Sequence, residues 1–373
     1  MKLSKVLYLT VMLAPMLGAV SCGAPAAVEC PDPCPPCPEC PQCPDCVCAE
    51  AAAPAPAPTE APEEEEEVAE LPYYAADCAP NCTYEDLKVG YAQIGAESEW
   101  RNANTSSIKE TAEQLGVDLL FSDAQQKQEN QIKAIRTFIA EGVDVIGHPP
   151  VVETGWETVY QEAYDAGIPI ILVDRRADVP EELYVSYIGS DFVEEGRKAG
   201  REMAKLLPEG GNVVELVGTV GSAPANDRAK GFREAIEEYP DIVILDSQSG
   251  DFTRALGKEV MEAFLKKHGD AIDALYAHND DMGIGAIQAI AEYGLDPGED
   301  IKIVSIDAVR GAFQAMVDGD LNVTVECNPL LGPQFYEMAL KTANGEELPR
   351  WVPSEESIYY PDNAAEIIET RKY

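Results

Sequence analysis

The stretch "GVDVIGHPPVVETGWETVYQEAYDAGIPIILVDRR" (residues 142–176) decides the fold. Residues 143–146 read as a strand. Residues 155–166 have helical spacing and stop at Gly167, a favoured helix terminator. Residues 168–173 form an apolar run rich in Ile and Val, as expected of a strand buried on both faces. It ends abruptly in Asp174, Arg175 and Arg176. Upstream the same rhythm holds: strand 87–92, helix 104–115 ending at Gly116, strand 117–121, helix 126–141 ending at Gly142. Strand–helix alternation of this kind argues for a parallel sheet with helices on both faces. Downstream the pattern restarts, with helix 192–207, strand 212–217, helix 229–239, strand 242–245, helix 253–267, strand 274–277, helix 282–293 and strand 301–306. The predicted fold class is α/β, with two doubly wound parallel-sheet lobes of similar size.

In such sheets ligands bind outside the carboxyl ends of the strands. The residues there are 93–101, 174–176, 218–228, 249–252, 278–281 and Asp307, a set rich in Asp, Asn and Arg with Trp100 and Phe252. This composition suits a sugar. Carboxylates and amides pair with hydroxyls, Arg supplies several fixed donors, and aromatic faces pack on the C–H face of a ring. A phosphate site would need Gly-rich turns and a basic excess, which these ends lack. Asp280 and Asp281 precede a helix, so one of them is expected to serve as an N-cap.

The N-terminus reads as a targeting signal. Lys2 and Lys5 precede an apolar region, residues 6–17, too short to span a bilayer comfortably. Ala19-Val20-Ser21-Cys22 is similar to a bacterial lipobox, which makes Cys22 the expected lipid anchor; the alternative is an ordinary signal peptide cut nearby. Most of the eleven cysteines fall in residues 30–48, where from Cys34 they recur every third residue among prolines. A polyproline II helix has three residues per turn and rises ~3.1 Å per residue, so the thiols share one face of a rod, roughly 9 Å apart. A disulfide needs Cα atoms within roughly 7 Å. The rod therefore bends or cross-links to a second chain. The overlapping C-x-x-C spacing also suits zinc or an iron–sulfur cluster, but proline stiffens the backbone and an exported chain favours disulfides. The oxidised-stalk reading is preferred, with no metal and no cofactor expected. The Ala-Pro repeat 53–58 and the run Glu63 to Glu67 complete a stiff, charged, disordered linker. Cys78 and Cys82 are placed to close a small loop at its end, and Cys327 is the only cysteine of the body. With 67 acidic against 27 basic side chains and a net charge of -40, nucleic acid is excluded as a partner.

The segments IGAESEWR (94–101), DAQQKQENQIKAIRTFIAEGVD (123–144), PVVETGW (150–156), ILVDRR (171–176), VVELVGTVGSAPANDRAKGF (213–232), SQSGDFTR (247–254), YAHNDDMGIGAIQAI (276–290) and SIDAV (305–309) carry a family resemblance. Together they resemble the periplasmic sugar-binding proteins of ABC importers, of the ribose and galactose type, and most nearly the galactofuranose-binding subgroup. The resemblance implies the type I periplasmic binding fold, two lobes joined by a three-segment hinge. It implies lobes at 84–188 plus 328–352 and at 189–327 plus 353–373, after a signal peptide at 1–21 and a linker at 22–83. It also implies a ligand set. Trp100 would stack on the sugar with Phe252 opposite. Glu97, Ser98 and Arg101 would hold it from the first loop, Asp174 and Arg175 from the N-terminal lobe, and Arg228, Asn279 and Asp307 from the C-terminal lobe. Cys327 stands where ribose binders carry a glutamine whose hydrogen bonds a thiol cannot supply, which argues against ribose. His148-Pro149-Pro150 is a departure with no assigned role.

The expected function is extracytoplasmic capture of a monosaccharide by a monomeric body tethered to the membrane, with delivery to an ABC importer permease. A sugar sensor serving a signalling receptor is the alternative. An exported glycosidase is disfavoured, since Arg175 and Arg228 are expected to keep nearby carboxylates ionised, and neither G-x-S-x-G nor H-E-x-x-H occurs.

Overall fold

The structure, a computed structural model, describes residues 75–373. The Cys22 anchor, the cysteine-proline rod and the acidic run lie outside the described residues. The described residues belong to one compact unit. Its elements begin with β1 (Lys88–Gln93), α1 (Glu99–Leu115), β2 (Asp118–Asp123), α2 (Gln128–Glu141), β3 (Val145–His148), α3 (Glu157–Asp165), β4 (Ile170–Val173) and β5 (Ser186–Gly189). There follow α4 (Phe192–Leu206), β6 (Gly211–Val217), α5 (Ala223–Ile236), β7 (Ile242–Ser249), α6 (Arg254–His268), β8 (Ala274–Ala277), α7 (Asp280–Tyr293), β9 (Lys302–Asp307), α8 (Arg310–Asp318) and β10 (Val323–Glu326). The chain ends with α9 (Gly332–Ala343), β11 (Trp351–Pro353), β12 (Ile358–Tyr359) and α10 (Ala364–Ile367).

The strands form two six-stranded sheets, ordered β11-β5-β4-β3-β1-β2 and β12-β10-β9-β8-β6-β7. Every pairing is parallel except β10 with β12. The doubly wound α/β expectation is therefore met. The run that decided the fold shows why. In β4, Ile171 and Val173 join one buried cluster and Ile170 and Leu172 another, because successive side chains of a strand point to opposite faces. Both faces are covered by helices, so both must be apolar. The chain passes between the sheets three times, at residues 190–191, 327–331 and 354–357. Among the described residues no helix is long and apolar enough to cross a membrane.

Two helix starts differ from the expectation, and both matter for the site. α1 begins five residues earlier, capped by Ser98, whose Oγ accepts from the Arg101 backbone N–H at 3.0 Å. α5 begins six residues earlier, capped by Ser222 with Pro224 in its first turn. Serine caps and polar first turns carry no apolar periodicity, so the pattern began later than the helix. β5, β10, β11 and β12, each of four residues or fewer, were too short to show a period. The loop closed by Cys78–Cys82 is present and is tied to the end of α9, where the Cys82 backbone N–H donates to Asn344 Oδ1 at 2.8 Å.

Helices α4 and α5 approach unusually closely. A Cβ on Gly231 would lie 1.9 Å from the Val193 carbonyl oxygen, and one on Gly196 would lie 2.3 Å from that of Arg228. Only glycine permits this contact, and the contact sets Glu195 against Arg228. Gly231→Ala is expected to force the helices apart and cost about 1–3 kcal/mol by overpacking. Thermal unfolding should show a lowered Tm, and an unchanged Tm would contradict the packing described.

Candidate functional site

The carboxyl ends of β1, β4, β6, β8 and β9 converge on one cavity with about 290 Å³ of empty space. All ten residues proposed from sequence line it: Glu97, Ser98, Trp100, Arg101, Asp174, Arg175, Arg228, Phe252, Asn279 and Asp307. Pro224 and Cys327 complete the wall.

One side is built on the start of α1 and the end of β4. Arg101 reaches Glu97 at 3.1 Å and Asp174 at 2.6 Å, with every partner buried. Its guanidinium also lies 4.6 Å from the Trp100 ring centre. Burial works against the Arg101 charge, but the Asp174 and Glu97 carboxylates outweigh it and raise its pKa. Arg175 is less well matched. It donates to the Val151 carbonyl at 3.1 Å and lies 3.7 Å from Asp174. Burial first, and then neighbouring Arg101, lower its pKa to about 10. Asp174 itself has φ 65°, a strained conformation for a residue with a side chain, held where β4 ends.

The other side is built on the start of α5 and the ends of β7, β8 and β9. Arg228 is held by three partners. It donates to Glu195 at 2.7 Å and to the His278 carbonyl at 2.6 Å, and it lies 3.5 Å from Asp307. Burial opposes its charge, and Glu195 with its other neighbours raises its pKa in spite of that. Phe252 has φ 60° and fills the space left by Gly218, where a Cβ would lie 1.9 Å from the ring. Arg175 sits 5.2 Å and Arg228 6.0 Å from that ring. Asn279 lines the cavity, but its side chain is mostly occupied. Its Oδ1 accepts from the Met282 N–H at 3.0 Å, and its Nδ2 donates to the Phe252 carbonyl at 3.2 Å.

Two expectations need correction. Asn279, not Asp280 or Asp281, caps α7. Asp280 is buried and accepts from the Val309 N–H at 2.9 Å and from Thr324 at 2.8 Å. Asp281 accepts from the Glu99 N–H at 2.7 Å. Asp307 is not kept ionised by Arg228: burial outweighs the guanidinium and raises its pKa well above the usual range. The two strand-end histidines are structural. His148 is buried, pairs with Tyr160 at 2.5 Å and is held neutral by burial with its pKa near 3; His278 pairs with Glu215 at 3.1 Å. The unplaced Pro149 and nearby Val151 anchor this loop, since Gln131 donates to the Pro149 carbonyl at 2.7 Å and accepts from the Val151 N–H at 3.0 Å. The loop then presents the Val151 carbonyl to Arg175.

The cleft is shut. Glu99 on α1 meets Asp281 and Arg254, the Glu153 N–H donates to the Gly221 carbonyl at 2.8 Å, Asn226 donates to Glu153 at 2.5 Å, and Arg176 pairs with Asp227. Trp100, at the start of α1, packs into the core of the second sheet and donates its indole N–H to the Cys327 carbonyl at 2.6 Å. Three guanidiniums (Arg101, Arg175, Arg228) face three carboxyl groups (Glu97, Asp174, Asp307), a dense set of donors and acceptors that suits a polar ligand. Two polar atoms in this wall are buried with no hydrogen-bond partner: Glu97 Oε2 and Arg175 Nε. An acceptor and a donor left open in one small cavity match a hydroxyl-rich ligand. Sequence reasoning missed Pro224 and Glu195. The first is an apolar wall residue without a chemical signature, and the second reads as one more charge on a polar helix.

Comparison with known proteins agrees with this geometry. The chain matches the family model of the periplasmic binding protein domain over residues 89–347. It is 49% identical over 291 residues to the galactofuranose-binding protein YtfQ of Escherichia coli (strain K12), covering 77% of this chain and 92% of that one. A Mycobacterium smegmatis structure in complex with β-D-fucofuranose is 50% identical, with a TM-score of 0.75 over 77% of this chain and 95% of that one. The binding component of the arabinose ABC transporter from Shewanella sp. ANA-3, bound to α- and β-L-arabinofuranose, is 47% identical, with a TM-score of 0.75 over 76% of this chain and 95% of that one. By fold, by site and by sequence, the chain belongs to the periplasmic binding protein family.

Proposed function

We propose that this protein captures a furanose monosaccharide between its two lobes and delivers it, unchanged, to an ABC importer. The observation that carries the reading is the pair of open buried groups, Glu97 Oε2 and Arg175 Nε, in a cavity walled by Arg and carboxyl side chains with Trp100 and Phe252. The furanose assignment is supported by relatives at about half identity that bind galactofuranose, fucofuranose and arabinofuranose. Family membership implies an extracytoplasmic location. Anchoring through Cys22, a monomeric body and the lobe boundaries at 84–188 plus 328–352 and 189–327 plus 353–373 complete the proposal.

The mechanism is closure. The three crossings between the sheets act as the hinge, and sugar bound to one wall recruits the other, shifting an open–closed equilibrium. Trp100 and Phe252 pack on the ring. Arg101, Arg175 and Arg228 donate to hydroxyl oxygens, and Glu97, Asp174 and Asp307 complete the polar wall. No bond is made or broken. A glycosidase needs one carboxyl as acid and a second free to act as base or nucleophile. The Asp174 carboxylate is already held by Arg101 at 2.6 Å. Furanose sugar bound to the protein should be recovered intact after denaturation, and nitrophenyl furanosides should release no nitrophenol. Steady nitrophenol release would replace the transport reading with an enzymatic one.

A further inference from the structure

The three crossings meet at a polar cluster behind the sugar cavity, in which Glu195, Ser190 and Cys327 are buried and Glu356 is half-buried. Ser190 comes from the first crossing, Cys327 from the second and Glu356 from the third, and Glu195 joins them from the first turn of α4. One donor atom each of Glu195, Cys327 and Glu356 lies within 4.8 Å of the others. Ser190 Oγ donates to Glu356 and lies 3.4 Å from Cys327 Sγ. Glu195 gives one oxygen to Arg228 at 2.7 Å, and its other oxygen is buried without a hydrogen-bond partner.

We propose that Glu195 and Glu356 form a proton-binding carboxyl pair at the hinge, and that closing the cleft over a sugar takes up a proton there. The proposal rests on the closure mechanism above. Arg228 and Cys327 each belong both to the cavity wall and to the surroundings of the pair. With the cleft open, water reaches these two groups and solvates the charges behind them. With it shut over a sugar, the pair loses that solvation. The groups facing it are Arg228 from α5, Lys198 from α4, Asp307 at the end of β9, Cys327, Tyr187 from β5 and Tyr276 from β8. Among the described residues Arg228 is the only cation on the carboxylates themselves, since Lys198 Nζ contacts the Glu356 backbone carbonyl, at 3.2 Å. Two ionised carboxylates against one guanidinium leave a buried negative charge in excess. A proton between the two carboxyls removes it, as in other carboxyl pairs that cannot both ionise. Burial first, and then the charge of Glu195, push Glu356 up to about 9; burial likewise raises Glu195 against the pull of Arg228.

The sign follows. A carboxyl raised in the closed form binds its proton more tightly closed than open. Closure then takes up protons between the ordinary carboxyl range and about 9, and within that window affinity falls as pH rises, by at most about tenfold per pH unit. Calorimetric titration of the protein with galactofuranose and with L-arabinose, near neutral pH in buffers of different ionisation enthalpy, reads the uptake directly. The expected result is an uptake approaching one proton per sugar, abolished in Glu356→Gln, which keeps its affinity at low pH. Sugar binding without buffer dependence, or an unchanged uptake in Glu356→Gln, overturns the coupling and leaves the sugar reading standing. Binding of no sugar removes both. A second arm, at saturating sugar, tests the pair itself in the shut form: the Tm of the wild type should fall more steeply with rising pH across the same window than that of Glu356→Gln. Parallel curves, or a stoichiometric metal ion in the purified protein, would overturn the carboxyl pair.

Discussion

Arg175→Ala is expected to weaken sugar binding by roughly 30-fold to several thousand-fold, from the about 2–5 kcal/mol that truncating a buried hydrogen-bonded charge costs. The size of the effect comes from what the residue leaves behind. Arg175 is 3% exposed, and its Nε has no hydrogen-bond partner in the protein, so that donor is free for the ligand. Without the guanidinium, a hydroxyl that accepted from it loses its partner and Asp174 loses a nearby positive charge. Because Arg175 is itself poorly compensated in the cavity, its removal should not destabilise the fold; the Tm should stay near that of the wild type. Arg175→Lys should recover only part of the affinity, since an ammonium keeps the charge but not the planar fork. Calorimetry on the two variants checks this, and a near-wild-type affinity in Arg175→Ala would show that the open groups face no ligand.

Trp100→Ala is expected to have an effect of similar size, about 2–4 kcal/mol, the range of an anchoring aromatic residue. Trp100 lies at the start of α1, lines the cavity, packs into the core of the other sheet, and holds the Cys327 carbonyl. Its loss therefore removes both a stacking face and a closing contact. Trp100→Phe separates the two. Phenylalanine keeps a face for the sugar but has no N–H for Cys327, so it should keep part of the affinity while shifting the open–closed balance toward open. Scattering measurements of overall dimensions, with and without sugar, should show the alanine variant remaining open at sugar concentrations that close the wild type. Unaltered affinity in Trp100→Ala would place the sugar elsewhere.

Much of this was legible in the sequence because the signals were local. The Ile-Val run of β4 and its abrupt Asp174-Arg175-Arg176 end announce a buried strand with a polar tip. Repeated along the chain, that pattern marked the strand-end segments that hold every wall residue except Cys327, while the ten individual ligand positions, and Cys327, were singled out through the family resemblance. What was not legible depends on distance in sequence. Glu195 sits in the stretch Phe192-Val193-Glu194-Glu195-Gly196-Arg197, which reads as an exposed polar turn. It is buried because Gly196 and Gly231 let α4 and α5 close on each other, a contact between residues thirty-five apart. Asp280 and Asp281 read as helix caps for the same reason, since their partners Thr324 and Glu99 lie far along the chain. The state of Asp307 turned on a balance between burial and Arg228 that composition cannot weigh.

The most direct test is a titration of the protein's tryptophan fluorescence with galactofuranose, galactose, ribose and arabinose. Trp100 is the only tryptophan in the cavity; Trp156 is buried beside His148, and Trp351 stacks on Tyr187 at a sheet edge. The account predicts a saturable change for a furanose sugar, weak or absent with ribose, and lost in Trp100→Ala. Silence across the panel, with calorimetry equally silent, would contradict the assignment of this cavity to a sugar.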